Sequence, residues 1–568
     1  MEYIKEYERW LQRADEDTKK ALLALTEKEK ELFFHGNISF GTAGLRGTMD
    51  PGTNAMNVYT VARATQGLAD LIIEEGRAGD GVVIAYDSRN NSALFARTAA
   101  EVLCGNKVKT YLFESLRPTP VLSFSVRYLK CAAGINITAS HNPKQYNGYK
   151  AYWDDGAQLS PALADKVSSY IEKTDIFDGV KKADLEQAEA DGILIMIGDD
   201  VDRVYLQNVR EQMIDQEAVK KAADLNVIYS PLNGTGYRLV PEVLRSIGIK
   251  NIHIVPEQAE PDGDFPSTPF PNPEFPQVFE AGIVIADRVG ADLLIATDPD
   301  ADRLGVTVRS KDGFVTLSGN QIGVILLEYI IDALRRTGKL AKHAYAVKSF
   351  VSTELAARIA RKNGVEMYDV FTGFKYIGEK MNELEDKENG VEFILGFEES
   401  NGYLRGTYAR DKDAVVAAML VCEAAAYYSG TGMTLYDVLL HIYEKYGQFL
   451  DYVDSVYMEG LDGIECMAAI MRSLREVPPK TLAGFEVTSY IDYAVPEYTD
   501  MKTGEKKPLS TGKNNTLYYK LGDDVVVIRP SGTEPKIKFY YMIGGKTKEE
   551  TEEKLKRLKT LPAAITKA

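Results

Sequence analysis

The sequence predicts a multidomain α/β protein, and three observations carry that expectation. Short apolar runs alternate with helical patterns through most of the chain, a strand–turn–helix theme restarts twice, and the last 120 or so residues change character. Strands alternating with helices favour a mostly parallel or mixed sheet covered on both faces.

The first 30 or so residues read as one amphipathic helix, with Tyr3, Tyr7, Trp10 and Leu11 near helical spacing. Residues 81–88, 107–113 and 131–140 read as strands, and 91–105 as an intervening helix. Residues 224–249 give strand, glycine-rich turn and helix, and 342–365 repeat that order without a fixed period. The proline-rich stretch 256–276 reads as an ordered loop, being short and mixed in composition. Alternating apolar runs at 486–495, 523–530 and 536–545, then a charged helix from Lys546, form a smaller C-terminal α+β domain. The expected division is 1–205, 206–317, 318–445 and 446–568.

Length agrees with this, since 568 residues at roughly 100–200 per domain make about three to five domains. Hydrophobic content of 45% and charged content of 26% belong to a soluble globular chain. The net charge of -16 argues against nucleic-acid and membrane-surface binding. It leaves a small anionic ligand open, because screening over about 8 Å lets a pocket's own Arg and Lys dominate. Cys104, Cys131, Cys422 and Cys466 are scattered, which suggests neither a disulfide framework nor a zinc site. The charged start lacks the apolar region of a signal peptide, and the apolar run 414–422 is too short to span a bilayer. A cytoplasmic protein is expected.

Four constellations carry chemistry. Thr138–Pro143, T-A-S-H-N-P, follows an apparent strand, and its Asn-Pro turn is expected to leave Ser140 exposed to a phosphate. Lys150 returns a cation to the same place, whereas His141, as a neighbour in sequence, is expected to point away from Ser140. Alone, Ser140 is an ordinary loop serine. Asp298–Arg303, D-P-D-A-D-R, follows an apolar run, and alternate residues of an extended segment would bring Asp298, Asp300 and Asp302 onto one hard cation. A calcium EF-hand fails, because Arg303 stands where glycine is needed and Arg309 where glutamate is needed. Oxygen ligands beside a phosphate favour Mg²⁺.

Gly396–Gly402, G-F-E-E-S-N-G, offers Glu398 and Ser400 to paired sugar hydroxyls, although taken alone a solvated acidic turn explains it better. Arg529–Lys536, R-P-S-G-T-E-P-K, joins a turn of backbone N–H groups to Arg529 and Lys536, which makes a phosphate clamp, with a decorated β-turn as the alternative reading of the same residues. Residues 40–48 lack the nucleotide P-loop pattern, yet their Thr42 and Arg46 can face a phosphate. The glycines of 232–238 need only a tight strand–helix turn, and T-G-F-K at 372–375 is an ambiguous loop before a helix.

All these motifs in this order resemble the α-D-phosphohexomutase superfamily over nearly the full length. Residues 147–158 and 261–274 resemble the phosphoglucomutase branch that also includes phosphopentomutases, and G-F-E-E-S resembles the sugar loop of glucose-handling members. The resemblance implies three similar α/β domains with mixed sheets around a central cleft, plus a smaller C-terminal α+β domain. It assigns Ser140 as the phosphorylated nucleophile, and Asp298, Asp300 and Asp302 with the phosphoserine as ligands of one Mg²⁺. Arg46, Lys150 and Arg303 match basic positions near the transferring phosphoryl group. Thr372, Gly373, Lys375, Glu398 and Ser400 match sugar-binding positions, and Arg529, Ser531, Gly532, Thr533 and Lys536 the distal phosphate loop. Thr42 and His141 join the substrate-binding set. Some relatives carry a histidine where this chain has Phe374, which leaves the general base unassigned.

The implied activity interconverts glucose 1-phosphate and glucose 6-phosphate, with glucose 1,6-bisphosphate as activating intermediate. Mannose- and pentose-phosphate mutases and a sugar-bisphosphate synthase are the alternatives. A non-catalytic sugar-phosphate-binding protein fits less well, since Ser140 and all three aspartates are present. Sugar phosphates are the expected partners of a monomer or small homo-oligomer.

Overall fold

Two side-chain caps break the amino-terminal segment that the sequence presents as one helix. Asp15 accepts from the N–H groups of Asp17 and Thr18, and Thr26 forms a capping box with Glu29. Caps that satisfy otherwise unpaired N–H groups start new helices, so the segment is three helices, Glu2–Arg13, Glu16–Leu23 and Glu27–Phe34. Fully buried Trp10 meets Phe34 edge-on at 5.7 Å and ties the first helix to the third.

The structure is a computed structural model and describes every residue except Met1, Ala223, 386–389, Glu459, 532–535 and 567–568. The chain divides into two compact units, one of Met1–Val347 with Gly373–Tyr436, the other of Lys348–Thr372 with Asp437–Ala568.

The first unit is α/β with mixed sheets. A six-stranded sheet has the order Leu45–Thr48, Tyr146–Trp153, Ala133–Ile137, Val82–Tyr86, Thr110–Phe113 and Leu194–Ile197. Its last four strands are parallel, and its first two add antiparallel. Val82–Ala85 are wholly buried and apolar, as a parallel strand covered on both faces must be. A five-stranded sheet has the order Gly313–Leu317, Leu304–Ser310, Leu293–Thr297, Asn226–Ser230 and Asn251–Ile254. Parallel pairing joins its last three strands, and antiparallel pairing joins the first two to them. In the region of the third expected domain, Val391–Glu398 and Gly402–Leu404 form an antiparallel pair. Gly323, on the helix Gly319–Arg336, lies so close to the Phe397 ring that a Cβ would not fit. The helix Ala414–Ser429 is buried and apolar nearly all round, hence an interior helix. Among the described residues no helix is long and apolar enough to cross a membrane.

The second unit is α+β. Its seven-stranded antiparallel sheet runs from Gln448–Tyr457 through Lys536–Gly545, Asp524–Pro530, Leu517–Leu521, Ser489–Asp492 and Glu497–Asp500 to Lys506–Pro508. Val526, Ile528, Phe539 and Tyr541 supply one core face, and Phe350 and Val351 pack on the other with Val525, Val527 and Tyr540. The charged helix Lys548–Leu558, started by a Thr547 cap, and the short helix Leu561–Ile565 end the unit.

Candidate active site

Ser140 follows the strand Ala133–Ile137 with a left-handed backbone, φ 54°. Its N–H donates to Thr138 Oγ1 at 2.8 Å. The side chain is 3% exposed, so the expectation of an exposed serine is corrected. Its hydroxyl donates to Asp298 Oδ2 at 2.8 Å and lies 3.1 Å from His141 Nδ1. The expectation that His141 points away is therefore also corrected. Neighbouring side chains alternate in extended backbone, and the positive φ at Ser140 removes that alternation. Burial, then Arg303 and Arg46, pushes the His141 imidazole well below its usual pKa, which keeps it neutral.

Asp298, Asp300 and Asp302 are at most 1% exposed, and one carboxylate oxygen from each lies within 4.8 Å of the others. They converge by a turn, not by the expected extended alternation. Ala301 N–H donates to the Asp298 carbonyl at 2.9 Å with φ 49°, and Asp298 Oδ1 accepts from the N–H groups of Asp302 and Arg303 at 3.1 and 3.0 Å. The glycine turn at 232–238 cradles this loop. Gly234 has no room for a Cβ against Pro299, and Thr235 N–H donates to the Pro299 carbonyl at 2.8 Å.

Cations surround the cluster. Lys150 Nζ sits 2.7 Å from Asp300 Oδ2 and 3.4 Å from Asp302 Oδ2, and Lys412 Nζ sits 3.0 Å from Asp302 Oδ2. Thr119 Oγ1 donates to Asp300 Oδ2 at 2.7 Å. Arg303 lies 3.8 Å from Asp302 and pairs with Glu274 at 2.7 Å. Burial, then the facing Asp300 and Asp302, drives Asp298 well above the usual carboxylate range. Burial alone would raise Asp300 too, but the Lys150 ammonium together with hydrogen bonds from Asp298 and Thr119 outweighs it and holds Asp300 low. Asp300 Oδ1 and Asp302 Oδ1 remain buried with no hydrogen-bond partner. Orphaned carboxylate oxygens beside a hydroxyl are a donor set that fits a hard divalent cation.

Glu398 ends its strand 4% exposed, and its Oε1 accepts from the Gly373 N–H at 2.7 Å. Burial, then the adjacent Glu399, pushes its carboxyl up to about 7. Asn401 joins this loop to the exit of the acidic one. Its Nδ2 donates to the Leu304 carbonyl at 3.1 Å, and its carbonyl accepts from Leu304 N–H at 3.0 Å. Ser400 is half-buried, and Lys375 lies over the Tyr376 ring at 4.8 Å. Arg46, on the strand paired with that of Lys150, donates to Asn142 Oδ1 at 3.1 Å. Thr42 is half-buried in the tight loop closed by Gly41 and Gly44. Gly44, at φ 75°, rests against the Tyr149 carbonyl, where no side chain fits.

The first unit thus brings Ser140, His141, Lys150, the three aspartates and Arg303 together, with Glu398 and Gly373 on the adjoining loop. Thr372 and the Arg529 loop belong to the second unit. There Ser531 N–H donates to the Lys536 carbonyl at 2.8 Å, and Lys536 Nζ donates to Tyr457 Oη at 3.3 Å. Gly532 and Thr533 lie outside the described residues. Sequence reasoning missed Lys412, Thr119, Glu274 and Arg89. The run R-D-K-D before the apolar helix at 414 was the available signal for Lys412, for which Gly402 leaves space. A cavity of about 930 Å³ between the N-terminal helices and the Arg63 and Glu172 region holds none of these groups, and Arg9 and Asp175 pair across it.

Models of a known family match the chain in three places. They are described as phosphoglucomutase/phosphomannomutase alpha/beta/alpha domains I, II and III, and cover residues 37–176, 203–312 and 318–446. The chain is 35% identical over 550 residues to a phosphoglucomutase of Staphylococcus aureus strain MSSA476, covering 96% of this chain and 97% of that one. To the phosphoglucomutase of strain MRSA252 it is 36% identical over 535 residues, with 94% of each covered. Its fold is similar to the open form of parafusin, a Paramecium phosphoglucomutase, at TM-score 0.70 and 16% identity, with 94% of this chain and 95% of that one covered. A phosphoglucomutase/phosphomannomutase family protein of Burkholderia thailandensis gives TM-score 0.66 at 18% identity, covering 93% and 96%.

Proposed function

The chain belongs to the phosphoglucomutase/phosphomannomutase family, and from that premise we propose that it interconverts glucose 1-phosphate and glucose 6-phosphate through phosphorylated Ser140. The observation that carries the reading is the Ser140 hydroxyl, buried and bonded to one of three clustered carboxylates. A structural serine has no need of such neighbours. The choice of glucose rests on the relatives at 35–36% identity over nearly the whole chain.

In the forward direction the bond from Ser140 Oγ to phosphorus breaks and a bond from the sugar's free hydroxyl to phosphorus forms. That hydroxyl's proton ends on Ser140 Oγ, which leaves glucose 1,6-bisphosphate and the free serine described here. Reorientation presents the other phosphoryl group to Ser140, and the reverse exchange completes the turnover. Magnesium held by Asp298, Asp300 and Asp302 supplies charge neutralisation at the phosphoryl oxygens when bound. Lys150 holds Asp300 and Asp302, and Lys412 holds Asp302, which brings two ammonium charges to the acidic cluster that Ser140 meets through Asp298. Glu398 accepts sugar hydroxyls when ionised. Arg529, Ser531, Gly532, Thr533 and Lys536 are assigned to the opposite phosphate, because a sugar that turns over needs both ends held. Phosphoryl transfer of this kind is mostly positioning and electrostatics, which suits a buried array of fixed charges. A cytoplasmic setting agrees with four free cysteines, three of them buried.

Comparing kcat/KM for glucose 1-phosphate, mannose 1-phosphate and ribose 1-phosphate, with glucose 1,6-bisphosphate present, tests the reading. Glucose 1-phosphate is expected to lead by about tenfold or more, the effect of one well-placed hydrogen bond. A lead for mannose or ribose phosphate reassigns the substrate. Net release of bisphosphate instead of isomer identifies a synthase.

A further inference from the structure

Arg89 lies outside every motif that the sequence singled out, yet its guanidinium is wholly buried beneath the Ser140 loop. One terminal nitrogen donates to the carbonyls of Ser140 and Asn142, both at 2.5 Å, and the other to those of Pro143 and Tyr146 at 3.0 and 3.2 Å. Four carbonyls from a seven-residue stretch therefore converge on one cation. Its nearest carboxylate, Asp87, stands at 3.3 Å and is shared, since Asp87 also accepts from the Arg89 N–H and from Ser92 Oγ.

Taking a cation out of water is costly, and here four carbonyl hydrogen bonds and Asp87 offset that cost. What the guanidinium fixes is a non-glycine residue with positive φ, a conformation that persists only where its surroundings over-determine it. The rigid planar fork meets that need, whereas a single ammonium cannot reach four carbonyls in two directions. The proline-rich loop seats on the same group. The buried Phe265 ring lies 5.1 Å from the guanidinium carbon, Gly263 has no room for a side chain against Asn90, and Asp264 accepts from Asn90 and pairs with Lys144.

We propose that Arg89 is the positioning residue of the phosphoryl-carrying serine, and that Phe265 holds its guanidinium in place. Arg89 touches no reacting atom. It sets where Ser140 Oγ stands over the aspartates by holding the Ser140 carbonyl. The proposal rests on the reading of Ser140 as the carrier. Displacing a reacting atom by about 1 Å lowers rates roughly 100-fold, without changing how the sugar is bound.

The test is steady-state kinetics of Arg89→Lys and Phe265→Leu, with intact mass and melting temperature measured on the same samples. Arg89→Lys is expected to retain a phosphate adduct, to keep KM for glucose 1-phosphate within about twofold, and to lose about 100-fold in kcat. Phe265→Leu is expected to show the same split with a loss of about tenfold, and it stands as the test if Arg89→Lys does not fold. Wild-type kcat in the folded variants overturns the proposal. So does a kcat per folded molecule that equals wild type once the melting curve is accounted for, since that is a purely structural role. An active Ser140→Ala enzyme with no adduct on the wild type sinks the carrier reading itself, whatever Arg89 does.

Discussion

Ser140 Oγ and Asp298 Oδ2 lie 2.8 Å apart, although 158 residues separate them in sequence. Each residue follows the carboxyl end of a strand in its own sheet, Ala133–Ile137 and Leu293–Thr297, where open α/β sheets place their ligand sites. The contact exists only in the free-serine form. Phosphorylation removes the proton that Ser140 donates and sets phosphoryl oxygens against a carboxylate, which repel one another without a cation between them.

Phosphorylation at this one position is the first consequence. Intact mass of the purified enzyme, after incubation with glucose 1,6-bisphosphate, is expected to show one phosphate adduct that Ser140→Ala lacks. Ser140→Ala is expected to lose about 10⁴-fold or more in kcat, as loss of a covalent nucleophile does. Full activity in that variant would end the covalent mechanism.

Cation binding follows from the two orphaned oxygens, Asp300 Oδ1 and Asp302 Oδ1. Chelation is expected to abolish turnover, and magnesium to raise the melting temperature. A ligand at 100 times its dissociation constant stabilises by about 2.7 kcal/mol. Asp302→Asn removes one ligand charge while keeping the shape, so its magnesium-dependent shift should largely vanish. An undiminished shift in that variant would place the cation elsewhere.

Much of this site was legible in sequence because its parts are short and local. D-P-D-A-D-R displays all its carboxylates within five residues, and the glycine of T-G-F-K marks the N–H that reaches Glu398. Burial was not legible. Ser140, read as exposed, is covered because a second sheet delivers Asp298 onto it, a contact with no local signature. Arg89 and Lys412 escaped for the same reason, since the carbonyls that Arg89 holds and the Asp302 that Lys412 meets lie 51 or more residues away. The α/β order was written in the strand–helix alternation. The three-helix start was not, because caps at Asp15 and Thr26 interrupt a pattern whose apolar spacing looks continuous.

The proposed assignment of Arg529 to the opposite phosphate can be separated experimentally from phosphoryl transfer at Ser140. Arg529→Ala is expected to raise KM for glucose 1-phosphate by about 10-fold to 100-fold, the worth of a charge-assisted hydrogen bond or two. The phosphate adduct on Ser140 should be unchanged by intact mass. Parallel loss of adduct and substrate affinity would remove Arg529 from the distal clamp.

Glu398 gives the pH dependence its sign. Its carboxyl sits at about 7 in the folded chain against an ordinary 4.5, chiefly through burial. Between those values the folded protein holds a proton that the unfolded chain has released, so stability falls as pH rises. The contribution is full below about pH 4.5 and gone above about pH 7, a span of roughly 3 kcal/mol. Urea unfolding of wild type and Glu398→Gln at pH 5 and pH 8 measures it. The wild type should lose stability relative to the variant on going to pH 8. Function runs the other way, because only the ionised carboxylate accepts two sugar hydroxyls. KM for glucose 1-phosphate is therefore expected to fall as pH rises through about 7 in wild type, and to lose that dependence in Glu398→Gln. An identical pH profile for the two proteins would mean that Glu398 neither titrates in this range nor meets the sugar.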